Sequence, residues 1–222
     1  MASDGLYKFF YVTFHVREMS ATTSIKNSSG GEGKKESIDN EFVWEHHTAS
    51  NLFAGKRIVI FGVPAAFSPV CTDHHLPDYE RYHDDILCEG VDEVWCTSVN
   101  DPFVMFQWAK NLDVKKVRML PDGNGDLARA MGMLVCSGSK GYGFRSWRYA
   151  MVVNDLRIEA IFEEPGKMDH CPVDPFTVSS VEQGVLPYLK REKKRNKHQL
   201  QRRHKSTTDH TTTTSTSKRK PG

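Results

Sequence analysis

Gly55–Cys71 reads GKRIVIFGVPAAFSPVC. Its first half, Lys56–Val63, is a near-continuous apolar run of the kind buried on both faces of a sheet, which predicts a central strand. Its second half is a loop punctuated by Pro64 and Pro69 that delivers Cys71 to the start of a helix. The apolar positions of that helix, Leu76, Tyr79, Tyr82, Ile86 and Leu87, recur at helical spacing until Gly90 stops it. Outward from this unit the order repeats. Strand Glu93–Val99 leads to helix Pro102–Leu112, and strand Val117–Leu120 leads to helix Gly125–Met133. A hairpin from Arg148–Val153 to Ile158–Phe162, turned at Asn154–Asp155, and a last helix Val181–Lys190 close the body. Upstream, Tyr7–Arg17 alternates as a strand, Ser20–Asp39 is a flexible Ser/Gly/Lys-rich loop, and Thr48–Phe53 is a short helical turn. Strands alternating with helices and ending in a hairpin predict an α/β or α+β domain with a mixed sheet. The expected division is residues 1–41 as strand and loop, 42–190 as the folded domain, and 191–222 as a tail.

The charge follows the same division. The 222 residues carry a formal net charge of +2, but residues 190–222 hold twelve Lys/Arg against Glu192 and Asp209, net +10, which leaves −8 for residues 1–189. Lys190–Lys205 extends the last helix as a basic run, and ten of the twelve residues from Ser206 to Ser217 are Ser or Thr. This composition cannot form a core and predicts disorder. Two basic clusters also suit an import receptor, or contact with nucleic acid or an anionic surface. The most apolar run, Ile58–Phe67, is interrupted by Gly62 and Pro64, far short of the ~20 apolar residues of a membrane span. The N-terminus lacks a secretory pattern, and the cytoplasm is the expected compartment, with mitochondrial, peroxisomal or nuclear placement left open. The five cysteines, Cys71, Cys88, Cys96, Cys136 and Cys171, contain no C-x-x-C pair and no Cys/His ligand pattern. Neither a disulfide scaffold nor a zinc module is expected, and no cofactor is called for.

One cysteine stands apart. In the first turn of a helix, unpaired backbone N–H groups and the positive end of the helix dipole stabilise thiolate over thiol at Cys71. Ser68, three residues earlier, brings a hydroxyl beside the sulfur, as donor to the thiolate or partner to a bound oxygen, and Pro64 and Pro69 stiffen the loop and remove competing N–H donors. A small, rigid, cationic pocket around a thiolate follows.

Pro64, Ser68 and Cys71 also match P-x-x-x-[TS]-x-x-C, the signature of the peroxiredoxins, and the chain resembles their type II or peroxiredoxin-5-like subfamily. Further family-like blocks follow in order: HLPDYE (His75–Glu80), SVNDPFVM (Ser98–Met105), LPDGNGDLARAMGM (Leu120–Met133), GFRSWRYAMVVND (Gly143–Asp155) and DPFTVSS (Asp174–Ser180). The resemblance covers about Phe42–Leu189. Ser68 stands where Thr is commoner, and Ala65 where Gly is frequent. The fold it implies is thioredoxin-like, with a mixed central β-sheet flanked by helices and a disordered basic tail. The activity it implies is a thiol peroxidase: Cys71 attacks a hydroperoxide, becomes a sulfenic acid, and is regenerated by thioredoxin or by glutathione with glutaredoxin. Arg148 matches the family's arginine beside the cysteine, with Arg145 as fallback. Two residues are candidates for a resolving thiol. Cys171 lies near the position used by animal-type members, in a stretch whose Pro165, Gly166 and Pro172 suggest an exposed loop, and it is the first choice; Cys96, matching plant type II members, is the second. Direct reduction would need neither. The resemblance also implies a homodimer packed near the active-site loop and a role in redox homeostasis. A rival class is a peroxide sensor that relays oxidation to partners, with a tail that binds polyanions or directs import.

Overall fold

The structure, a computed structural model, describes residues 13–19 and 42–211. Strands β1 (Thr13–Met19) and β2 (Phe42–Thr48) form an antiparallel pair, and Thr48 caps the short helix α1 (Ala49–Phe53). Next come β3 (Arg57–Gly62), a π-helical turn (Cys71–His75), α2 (Leu76–Arg81), α3 (His83–Cys88), β4 (Glu93–Ser98), α4 (Pro102–Asn111) and β5 (Arg118–Pro121). The second half holds α5 (Asp126–Ala130), the short pair β6 (Leu134–Cys136) and β7 (Phe144–Ser146), the hairpin β8 (Tyr149–Asn154) and β9 (Arg157–Glu163), a second π turn (Val181–Val185) and α6 (Leu186–Thr211).

The main sheet runs β5-β4-β3-β8-β9, with β3, β4 and β5 parallel and β8 and β9 antiparallel. The expected mixed sheet and its central strand are both present, because Ile58, Val59, Ile60 and Phe61 are fully buried on alternating faces. Ile58 and Ile60 pack with Phe53, Trp95, Tyr149 and Met151, whereas Val59 and Phe61 pack with Cys71, Tyr79, Cys96, Trp108 and Val152. Cys71 is therefore covered by the helices on the second face. At the end of β3, Gly62 has no Cβ because the Tyr149 ring occupies that space.

Several boundaries differ from expectation for local reasons. The helix read as Cys71–Cys88 is divided into three pieces. Pro77 has no N–H to close an ordinary turn, the turn before it widens so that the Leu76 N–H bonds Cys71 O, and Tyr82 leaves helical geometry at ψ 10. Helix α4 begins where expected, since the Asp101 carboxylate accepts from Phe103 N (2.9 Å) and Val104 N (3.0 Å) ahead of Pro102. The hairpin turns at Asp155–Leu156, both at positive φ, one residue later than read. The N-terminal strand spans Thr13–Met19, while residues 1–12 and the loop expected at Ser20–Asp39 lie outside the described residues. Strand β2 and the β6–β7 pair were not anticipated. The basic run does extend the last helix, which passes the expected boundary at 190 without a break and continues to Thr211. The composition forbids a core there, not a solvated helix; the Ser/Thr-rich residues past Thr211 lie outside the described residues. Among the described residues no helix is long and apolar enough to cross a membrane.

Candidate active site

Helical structure already covers residues 69 and 70, so Cys71 sits in a first turn, with the Thr72 N–H donating to Ser68 O at 2.9 Å. The loop before it is pinned to the sheet. Ala66 N donates to Asn100 Oδ1 (3.1 Å), and Ser98 Oγ lies 2.8 Å from the same oxygen and 3.1 Å from Val63 O. Phe67, at φ 63, holds a backbone conformation that costs a bulky residue about 1–3 kcal/mol and leaves its ring 52% exposed beside the loop. The Ser68 hydroxyl donates to Ala65 O at 2.9 Å. Its proton is therefore spent within the loop and is not directed at the sulfur, which leaves of the two expected roles that of partner to a bound group, through the oxygen's lone pairs.

Cys71 is fully buried, and what it meets from the far side is Arg148, also fully buried at the start of the β8 hairpin. Arg148 Nη2 lies 3.5 Å from Cys71 Sγ. The other edges of the guanidinium are held: Nε and Nη2 donate to Asp174 Oδ1 at 3.2 and 2.6 Å, and Nη1 lies 2.9 Å from His75 Nδ1. Phe176 lies against it with 5.8 Å to the ring centroid. A planar fork with fixed hydrogens can meet three partners at once, which lysine cannot do. Arg145, the fallback, is placed elsewhere: its Nη1 donates to Val99 O at 2.8 Å.

His75 lies one helical turn after Cys71 on the same buried side. Rings of Phe61 (4.9 Å), Phe176 (4.8 Å) and Tyr79 (5.4 Å) enclose it. Burial first, and the Arg148 charge second, push its pKa well below the ordinary value, with the Ser179 main chain offsetting part of the shift. A neutral ring accepts from Arg148 at Nδ1 and keeps its proton on Nε2. His75 thus orients the guanidinium without adding a second positive charge beside it.

Glu164 builds the wall that carries Asp174 and Phe176. Its carboxylate accepts from Thr177 N and Oγ1 (both 2.6 Å) and from Ser179 N (2.8 Å) and Oγ (2.7 Å), while its main chain bonds Arg148 O and Trp147 Nε1. Burial pushes the Glu164 pKa up, but these donors outweigh it and hold the group below the usual carboxylate value. Glu164→Ala should lower stability by about 3 kcal/mol, since buried donors lose their acceptor. Glu164→Gln should cost less, because one oxygen still serves the two N–H groups. A depressed carboxylate contributes stability above its unfolded value that is lost as pH falls through the folded one. The stability gap between wild type and Glu164→Gln should therefore narrow below pH about 4.5. Chemical denaturation at several pH values measures it, and a gap unchanged down to the acid range would show that the carboxylate is not what ties the wall.

All five cysteines are free thiols. Cys171 is buried at 8% exposure, not in an exposed loop, and it packs with Leu127, Val135 and Trp147 on the face of the sheet away from Cys71. The reason is a local stitch: Cys136 N donates to Asp169 Oδ1 and His170 N donates to Cys136 O, each at 2.7 Å, which draws the segment onto β6. Cys96 shares the face of Cys71 but lies within β4 opposite Phe61; burial, and then the Cys71 sulfur, push its pKa well up. His75, Asp174, Phe176 and Glu164 were not singled out from sequence. His75 offered the one signal, a histidine a turn after the cysteine; Asp174 and Glu164 reach the site only through the fold.

A fixed donor array behind a buried cysteine, with the loop main chain in front, can activate a thiolate and hold a small oxygen compound against it. The family model "Redoxin" matches residues 45–184. The chain is 50% identical over 151 residues to peroxiredoxin sll1621 of Synechocystis sp., covering 68% of this chain and 79% of that one. It is 38% identical over 133 residues to Peroxiredoxin-2B of Arabidopsis thaliana, covering 60% and 78%. Among solved structures it is similar to the Plasmodium falciparum antioxidant protein, a 1-Cys peroxiredoxin, with TM-score 0.65 and 31% identity over 67% of this chain and 86% of that one.

Proposed function

The chain belongs to the peroxiredoxins, in their type II, peroxiredoxin-5-like branch, and is a thiol peroxidase; from that premise we propose that Cys71 is its peroxide-reducing residue and that the oxidised cysteine is regenerated by an external thiol. The observation that carries the first half is the 3.5 Å contact between Arg148 Nη2 and Cys71 Sγ, with the guanidinium fixed by His75 and Asp174. The thiolate attacks one peroxide oxygen, an S–O bond forms as the O–O bond breaks, and the departing oxygen takes a proton to leave as water or an alcohol. Cys71 is left as a sulfenic acid. Arg148 balances charge first on sulfur and then on the peroxide oxygens, the loop N–H groups face the substrate from the other side, and Ser68 Oγ accepts from the peroxide's own hydrogen. Pro64 keeps the strand-to-loop turn fixed.

The second half rests on where the other sulfurs lie. Cys171 is on the opposite face of the sheet, and Cys96 is held in a strand where burial disfavours its thiolate. Neither is poised to attack a sulfenic acid at residue 71. Thioredoxin, or glutathione with glutaredoxin, supplies the thiol in this reading. Intact mass after one equivalent of hydrogen peroxide tests it: the protein should gain one oxygen, and then form a glutathione adduct when glutathione is added. Loss of two hydrogens, with a peptide linking Cys71 to Cys171 or Cys96, would establish an internal resolving cysteine instead.

The assembly proposed is a homodimer across the active-site loop. Phe67 (52% exposed) lies on that loop, and Phe103 (49%) and Phe144 (63%) lie on segments whose neighbouring residues are tied together by the Ala66–Asn100 and Arg145–Val99 hydrogen bonds. Large apolar side chains left this exposed suit an association surface. Phe67→Asp should shift sedimentation from dimer to monomer, and a wild-type chain that sediments as a monomer at micromolar concentration would remove the proposal.

A further inference from the structure

The peroxidase site leaves α6 unexplained. Its first turns belong to the body: Leu189 is fully buried, Tyr188 meets Phe162 at 5.7 Å, and Lys193 Nζ reaches Cys88 O (2.6 Å) and Glu89 (3.4 Å). From Lys193 to Arg202 every described residue is exposed, while the helix runs on to Thr211. At 1.5 Å per residue, the part beyond Lys193 projects about 27 Å.

From Lys190 onward the exposed surface of α6 is a striped cation. Lys190, Lys194 and Lys197 follow i, i+4, i+7 spacing along one side, and Arg191, Arg195 and Arg202 form a second stripe about a quarter-turn away. Among the described residues, Lys193 and Arg195 meet carboxylates, at Glu89 and Glu192, and Lys190, Arg191, Lys194, Lys197 and Arg202 have none within ion-pair reach. Like charges one turn apart repel, so the free helix is under an electrostatic load that a polyanion would relieve. The stripes also decide which polyanion fits. From Lys190 to Arg202 the sole apolar side chain is the exposed Leu200. The helix therefore has neither the apolar face that an interfacial membrane helix inserts nor a seam for a coiled coil. A solvated basic helix about 10–12 Å across matches the ~12 Å major groove of B-form DNA, whose phosphates line both edges. The acidic body, net −8 over residues 1–189, would stand away from the same phosphates and leave the helix as the contact.

We propose that the exposed basic stretch of α6 from Lys190 onward is a docking site for the phosphate backbone of duplex DNA, bound without sequence preference, and that it carries the peroxidase body to that surface. The test uses the full-length reduced protein and a labelled random-sequence duplex of about two helical turns, followed by anisotropy between 50 and 200 mM salt. Five unpaired cations predict log affinity falling with log salt at a slope of about −4 to −5. The variant with Lys190, Arg191, Lys194, Lys197 and Arg202 all changed to Gln should lose at least about tenfold in affinity at the lowest salt and most of the slope, with peroxide turnover retained as its control for folding. Were that variant to lose turnover, Lys194→Gln with Lys197→Gln should still reduce the slope by about two. The proposal is overturned by no duplex binding at the lowest salt, by a slope that the variants leave unchanged, or by heparin or phosphatidylserine vesicles binding as tightly as the duplex.

Discussion

Cys71→Ser is expected to abolish peroxide reduction, by about 10⁴-fold or more, the scale of loss when an enzyme's nucleophile is removed. A serine hydroxyl in the same place is far less nucleophilic than a thiolate, and the surroundings are arranged for an anion: a buried guanidinium 3.5 Å from Sγ and a place in the first turn of a helix, at the positive end of its dipole. The substitution changes one atom in a fully buried position, so the body should fold and the loss should be chemical. Cys88, the exposed thiol, remains in this variant and sets the background at the rate of an ordinary cysteine. Hydrogen peroxide consumption under a thiol reducing system reads the result. Activity within tenfold of wild type would place the chemistry on another sulfur.

Arg148→Met should slow the peroxide step by about 10²–10³-fold, the usual loss for one donor aimed at developing charge. Methionine keeps much of the buried volume but removes the cation beside sulfur and the donors to Asp174 and His75 Nδ1. Arg148→Lys should recover little of this, because an ammonium cannot reach Sγ, Asp174 and His75 together. Removing a buried, hydrogen-bonded partner also weakens the fold, so the rate belongs at a temperature well below each variant's melting transition. A pure packing role predicts lower stability with an unchanged second-order rate constant for peroxide; a charge-balancing role predicts the rate loss even where the protein is fully folded. Peroxide reduction by Arg148→Met at the wild-type rate would remove the arginine from the mechanism.

Much of this was legible in the sequence where burial is two-sided or chemistry is local. Lys56–Val63 announces a central strand because both faces of it are covered, and the proline-framed approach to Cys71 announces a helix start. Family-like blocks then point to Arg148, whose distance from Cys71 along the chain hides a direct contact. What stayed hidden depends on tertiary position. Glycine and prolines around Cys171 indicate a loop, but a loop's composition does not say which face of a sheet it covers, and hydrogen bonds to β6 fold it inward. Asp174 and Glu164 are ordinary acidic residues in the sequence; they matter because one grips Arg148 and the other grips the segment that carries the first. Ser68 has the right spacing for the sulfur, yet its hydroxyl proton has a nearer acceptor in Ala65 O. Strands as short as β6 and β7, three residues each, carry too little periodicity to be seen alone.

The central claim is that one cysteine, positioned by Arg148, does the peroxide chemistry without a second sulfur in the chain. The direct measurement uses a variant in which Cys88, Cys96, Cys136 and Cys171 are all alanine, reduced and mixed rapidly with one equivalent of hydrogen peroxide. The account predicts one peroxide consumed per chain at the wild-type rate constant, and one oxygen gained on the peptide that contains Cys71. A folded single-cysteine protein that consumes peroxide no faster than free cysteine would contradict it.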